Sequence, residues 1–310
     1  MSQHDKQSLQ VGVIGLGAMG MGTATVLHQQ GFNVTGCDIS TGARDAFMAT
    51  GGRSVATPAE LAHCHVVLVI VVNGLQVEQV LFGEQGVVSH LAPGSLIMQC
   101  ATVAPSQAKQ LGERLAAEGL MMLDAPISGG AAKAKSGELS VMASGDAEAF
   151  ACAQQVLDAM AAKVYQLGDA PGVGSSMKLV NQLLAGVHIA TAAEAMALGI
   201  RMGLDPKVIF EVITHSAGNS WMFENRVPHI LNGDYTPLSA VDIFVKDLNI
   251  VHQTGRELAL ATPVASSALQ QFTAASGAGF GREDDSAVIK VYQRLSGITL
   301  PEAANDAQGA

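Results

Sequence analysis

The chain has 310 residues, 48% of them hydrophobic but only 4% aromatic, and a formal net charge of -10. That length suggests two domains with sizeable cores. An acidic balance without a basic run argues against nucleic acid or an anionic membrane as a partner, and so few aromatics leave little surface for stacking bases.

The polar opening MSQHDKQSLQ is expected to carry no signal peptide. QVGVIGLG (10–17) then reads as an apolar strand ending in glycines, and AMGMGTATVLHQQG (18–31) as a helix closed by Gly31. FNVTGCD (32–38) is a second strand, and STGARDAFMATG (40–51) a helix capped by Ser40 or Thr41. A short helix starts near Pro58. HVVLVIVVN (65–73), SLIMQCAT (95–102), LMMLDAP (120–126) and LSVMASG (139–145) read as further strands, with helices at 106–119 and 146–161. The longest apolar run, VVLVIVV (66–72), is about a third of a membrane span and suits a buried parallel strand. HCH at 63–65 leads into that strand and lacks a third ligand nearby in sequence, so no metal site is expected. Cys37, Cys64, Cys100 and Cys152 form no C-x-x-C pair and read as reduced thiols of a cytoplasmic protein.

Repeated strand–helix units with buried strands predict an α/β fold with a doubly wound parallel sheet of Rossmann type. Near residue 168 the pattern changes to helices alone, at 174–202, 206–215, 219–231, 242–260, 263–276 and 285–295. The expected organisation is a nucleotide-binding domain over 1–170 and an all-α domain over 171–310. The two are joined by a long interdomain helix (174–202), with a loose tail at about 300–310. Gly186, Ala190, Ala193 and Gly199 give that helix a smooth face suited to close helix packing.

GLGAMG (15–20) fits G-x-G-x-x-G, and it follows a strand and opens a helix, which is the context its chemistry requires. Gly15 permits the tight turn, Gly17 admits a pyrophosphate and Gly20 lets helix pack on strand. With Leu16, Ala18 and Met19 they form the expected cofactor loop. Asp38, at the end of the second strand, suits the ribose hydroxyls and would repel a 2'-phosphate. The nearest arginine, Arg44, lies inside the next helix, so NAD is favoured over NADP. Val72, Asn73 and Thr102 follow strand C-termini and fall on the ligand side. In DAPISGG (124–130), Ser128, Gly129 and Gly130 offer a hydroxyl and bare N–H groups that could cradle a carboxylate or form a plain surface turn. Lys178, alone in the first turns of the long helix, either reaches for solvent or acts on a ligand. In AGNSWMFEN (217–225), Trp221 could close over a ligand with Asn219 and Ser220 bonding it, or Asn219 or Ser220 could cap a helix.

Four blocks, GLGAMG, DAPISGG, GVGSSMKLVNQ and KDL, stand in order over roughly residues 10–297. With them the sequence resembles the β-hydroxyacid dehydrogenase family, which includes 3-hydroxyisobutyrate dehydrogenase and tartronate semialdehyde reductase. The segments 214–226, 233–248 and 279–292 resemble its L-threonate-oxidising branch. The resemblance implies a hydroxy-acid substrate, a nicotinamide cofactor, and a homodimer or homotetramer built through the helical domains. It implies Lys178 as general acid/base, Ser128, Gly129 and Gly130 at the substrate carboxylate, and Thr102 and Lys246 at the cofactor. Many members carry asparagine four residues after the lysine; here Gln182 stands there and Asn181 one residue earlier, and either amide could touch substrate. Non-catalytic members and imine reductases would be expected to replace the lysine, which this chain keeps.

Overall fold

The computed structural model describes residues 8–301. It divides into two compact units between Lys178 and Leu179.

In the first unit a nine-stranded sheet has the order β3-β2-β1-β4-β5-β6-β8-β7, with β9 paired to β8. Strands β1 (Gln10–Ile14), β2 (Asn33–Cys37), β3 (Arg53–Val55), β4 (Val66–Val69), β5 (Leu96–Gln99) and β6 (Met121–Asp124) are parallel. Side chains alternate across a strand, so one apolar run feeds two layers. Val66 and Leu68 enter one core cluster and Val67 and Val69 the other; Leu96 and Met98 part from Ile97 in the same way. The helices α1 (Ala18–Gln29), α2 (Thr41–Met48), α3 (Gly74–Phe82) and α4 (Pro105–Ala117) link these strands. Because β1 lies between β2 and β4, the chain reverses its winding direction there, which opens a crevice at the strand C-termini.

The parallel pattern stops after β6. Strand β7 (Ile127–Ser128), helix α5 (Gly130–Ser136) and strand β9 (Ala161–Gly168) were not expected from the sequence, and β8 (Leu139–Ser144) runs antiparallel to β6 and β7. Pro126 and two left-handed glycines, Gly129 (φ 131°) and Gly130 (φ 75°), turn the chain from β7 into α5, and it returns through that helix to β8. Helix α6 (Ala147–Met160) then leads into β9, parallel to β8.

Helix α7 (Val173–Arg201) crosses the division and continues into the second unit. There it is followed by α8 (Pro206–Thr214), α9 (Trp221–Asn232), α10 (Val241–Glu257), α11 (Pro263–Ala275) and α12 (Ile289–Ser296). By length and mean hydropathy alone α7 could cross a membrane. Its small residues instead admit neighbours. A Cβ on Gly186 would stand 2.9 Å from Phe244, and one on Gly199 2.4 Å from the tip of Ile209. Ala190 and Ala193 are buried in the same core, where Phe244 stacks on Phe272. The smooth face of α7 therefore serves packing within the unit.

Candidate active site

The glycine loop is shaped by contact. Gly15 has φ 94°, and a Cβ there would lie 2.3 Å from the Ile70 carbonyl oxygen. A Cβ on Gly20 would lie 1.8 Å from the Gly15 carbonyl oxygen. Gly17 differs, because its absent side chain faces open space. It is the N-cap of α1, with no side-chain cap and no acid in the first turn. A helix N-terminus left open in this way suits an anion. Asp38 sits beside it. Its Oδ2 accepts from the Leu16 N–H at 2.7 Å and its Oδ1 from the Ser40 N–H at 2.8 Å. Ser40, rather than Thr41, caps α2. The Arg44 guanidinium donates to the carbonyls of Asp38 and Ile39 and to Thr41 Oγ1. It is thus engaged in the turn.

Beyond β4, Asn73 caps α3 by accepting from the Gln76 N–H, while the Val72 N–H donates to Gln76 Oε1. Ile39 is 94% exposed and Leu75 83%, two apolar side chains left in the open beyond β2 and β4. Thr102 follows β5 past a turn tightened by Gln99, whose side chain bonds both backbone groups of Ala101.

Lys178 is only 7% exposed, and its Nζ donates to the Ile127 carbonyl at 2.8 Å. That carbonyl immediately precedes Ser128, Gly129 and Gly130, so the lysine and the expected carboxylate loop do come together. Both glycines have left-handed φ, Gly129 is the N-cap of α5 with no side-chain cap, and a Cβ on Gly130 would meet nothing within 4 Å.

In the second unit the KDL block is tied to the lysine helix. Gln182 donates to Asp247 Oδ2, Lys246 pairs with Asp247 Oδ1, and Asn181 donates to Gln182 Oε1. Both ends of the Gln182 amide are engaged inside the unit. Asn181 keeps its carbonyl oxygen. Asn219 and Trp221 lie at another turn, between α8 and α9. Ser220 is the N-cap there, accepting from the Phe223 N–H at 3.0 Å. Asn219 donates to the Thr214 carbonyl and to Glu224, and its Oδ1 is buried without a partner. Trp221 is exposed.

One residue could not be singled out from the sequence. Asp124, fully buried at the end of β6, accepts from the N–H groups of Gly172 and Ser175 and from Ser175 Oγ. Burial pushes its carboxyl above the ordinary range, and these hydrogen bonds pull the other way. DAPISGG contained it, but its partners stand 48 and 51 residues away.

Two family models match. Residues 10–168 fit the NAD binding domain of 6-phosphogluconate dehydrogenase, and residues 172–292 fit the NAD-binding model of NADP-dependent 3-hydroxyisobutyrate dehydrogenase. The chain belongs to the 3-hydroxyisobutyrate dehydrogenase-like family. Among its relatives, L-threonate dehydrogenase of Cupriavidus necator is 58% identical, covering 96% of this chain and 99% of that protein. L-threonate dehydrogenase of Escherichia coli K12 is 52% identical over 94% of this chain and 97% of its own. A solved structure described as 3-hydroxyisobutyrate dehydrogenase from Salmonella typhimurium superposes with a TM-score of 0.87 at 50% identity, covering 91% of this chain and 99% of that one. As a family member the chain is an NAD-dependent dehydrogenase of the hydroxy-acid class. The open N-terminus of α1, the bare Gly17 and the Asp38 carboxylate fit a dinucleotide's diphosphate and ribose.

Proposed function

We propose that the chain oxidises L-threonate at C2 to the 2-oxo acid, 2-dehydro-L-erythronate, with NAD as oxidant and Lys178 as general acid/base. The observation that carries this is the buried Lys178 Nζ donating to the Ile127 carbonyl, beside Ser128–Gly129–Gly130, in a chain 58% identical to an L-threonate dehydrogenase.

Bound NAD supplies the hydride acceptor. Gly15 to Gly20 hold its diphosphate, Asp38 its ribose, and Val72, Asn73, Thr102 and Lys246 complete its surroundings; Ile39 and Leu75 offer apolar cover for the adenine. Ser128 Oγ and the N–H groups of Gly129 and Gly130 hold the substrate carboxylate. The neutral Lys178 amine takes the C2 hydroxyl proton as hydride leaves the carbon, and its ammonium returns a proton in the reverse direction. Asn181, with its carbonyl oxygen uncommitted, accepts from a substrate hydroxyl, while Gln182 aligns it. The buried, unpartnered Asn219 Oδ1 suits a further hydroxyl, with Trp221 as cover.

In this reading residues 1–170 form the NAD-binding domain and 171–310 the substrate and oligomerisation domain of a cytoplasmic protein. The last residues, 302–310, lie outside those described. A homodimer or homotetramer is supported by an exposed apolar row on α7, with Val180, Leu184, Leu198 and Met202 at helical spacing, continued by Val208 and Val212 of α8.

The test is reduced-cofactor absorbance with NAD and, separately, NADP, against L-threonate, D-threonate, both glycerates, 3-hydroxyisobutyrate and L-serine. Preference for L-threonate with NAD is expected. Higher kcat/KM on another acid would overturn the substrate and keep the lysine chemistry.

A further inference from the structure

We infer that Asp124 is the positioning residue of the catalytic lysine: its carboxylate pins the first turn of α7 to the sheet and so holds Lys178 at the carboxylate loop. This rests on the reading of Lys178 as the general acid/base.

A helix begins with N–H groups that have no partner within the helix, and a local Ser, Thr, Asp or Asn ordinarily supplies one. Helix α7 has no such residue. Glycine stands just ahead of it, with Gly172 at φ 104°, and the acceptors come from the sheet. Asp124 Oδ2 takes the N–H groups of Gly172 at 2.8 Å and Ser175 at 2.9 Å, and Oδ1 takes Ser175 Oγ at 2.7 Å. Ser144, opposite Asp124 in the β6–β8 pairing, accepts the Gly174 N–H at 2.9 Å and donates to the same carboxylate. Gly174 must be glycine for this, since a Cβ would lie 2.4 Å from the Met142 carbonyl oxygen and 2.6 Å from that of Asp124.

The stretch from Asp124 at the end of β6 to Ile127 in β7 also supplies the carbonyl that receives Lys178 Nζ. It therefore grips the start of the helix at two points, at Ser175 through Asp124 and at Lys178 in the next turn through Ile127. Without the first grip the opening turn frays, and Lys178 lies in the turn that follows it. A proton acceptor must stand within about 3 Å of its hydroxyl. A misplacement of about 1 Å can cost on the order of 100-fold in rate. A cap that served stability alone would lower the melting temperature and leave the chemistry of the folded enzyme unchanged.

The experiment compares wild type, Asp124→Asn, Ser175→Ala and Lys178→Ala as full-length enzymes. The substrate is L-threonate, or whichever hydroxy acid the wild type oxidises best, unlabelled and deuterated at C2. Asp124→Asn keeps the shape and removes the charge and one acceptor. Its kcat is expected to fall about 10-fold or more, by the positioning argument, with KM for NAD within about twofold and a larger deuterium isotope effect on kcat. Ser175→Ala should move the same way by less. Turnover and isotope effect like wild type in folded Asp124→Asn, beside an inactive Lys178→Ala, would overturn the positioning role and leave the lysine mechanism standing. If Asp124→Asn does not fold, Ser175→Ala with a wild-type isotope effect would overturn the positioning role in its place. An active Lys178→Ala would overturn both.

Discussion

A carboxylate has about four lone-pair directions, and Asp38 commits two of them to the N–H groups of Leu16 and Ser40. The remaining two suit vicinal hydroxyls. Asp38→Ala should therefore raise KM for NAD by about 10- to 100-fold, since hydrogen bonds to a charged group are worth about 1.5–3 kcal/mol. It should also narrow the preference over NADP, because a phosphate is no longer repelled. Parallel titrations with the two cofactors check this; an unchanged NAD/NADP ratio would remove Asp38 from cofactor choice. Arg44 would not compensate readily, being bonded to the turn's own carbonyls. The spacing of the motif pointed to Asp38 and the glycines in the sequence, although the Leu16 N–H that Asp38 accepts from stands 22 residues away. Asp124 was not legible. Its type and neighbours resemble an ordinary turn, and only the fold brings the start of α7 to it. Nor did the sequence show that Asp247 would engage Gln182.

Among the elements, α9 carries a buried guanidinium. Arg226 is buried and forked onto Asp285, through Nε to Oδ1 and Nη2 to Oδ2. Burial pushes the Asp285 carboxyl up to about 6, while Arg226 pulls it down. The two partners can shed their charge unequally. A buried carboxyl can take up a proton, whereas a guanidinium cannot lose one. Asp285→Ala, which leaves the guanidinium only Asn225 and the charge of Asp284, should cost about 3–5 kcal/mol. Arg226→Met should cost less, because Asp285 can go neutral. Urea unfolding of the two variants decides; equal losses would contradict the asymmetry. Helix extents in this half were largely readable from Pro, Gly and capping residues, as with Asp205 and Pro206 at the start of α8. The β7–α5–β8 turn-back was not. Two glycines signal a turn but do not say which way the next strand runs.

For the whole molecule, the small face of α7 is filled by Phe244, Leu248 and Ile209, and the opposite row of Val180, Leu184, Leu198 and Met202 is bare. We expect wild-type light scattering to give a multiple of the 31.9 kDa chain. Leu198→Glu should shift it toward the single-chain mass, since a charge buried in an apolar contact is not tolerated. A wild-type monomer would overturn the assembly. The sequence alone determined the alternation of strand and helix, the change to helices near residue 168, the cofactor loop and the lone lysine. Each of these is written in local spacing, in hydrophobic period or in residues with special φ. The tertiary structure alone decided which strand turned back, which face of α7 was buried, which amide Asp247 engages and which carboxylate holds the lysine's helix. Those depend on groups 48 to 65 residues apart meeting in the interior, where most polar atoms find partners that no local pattern records.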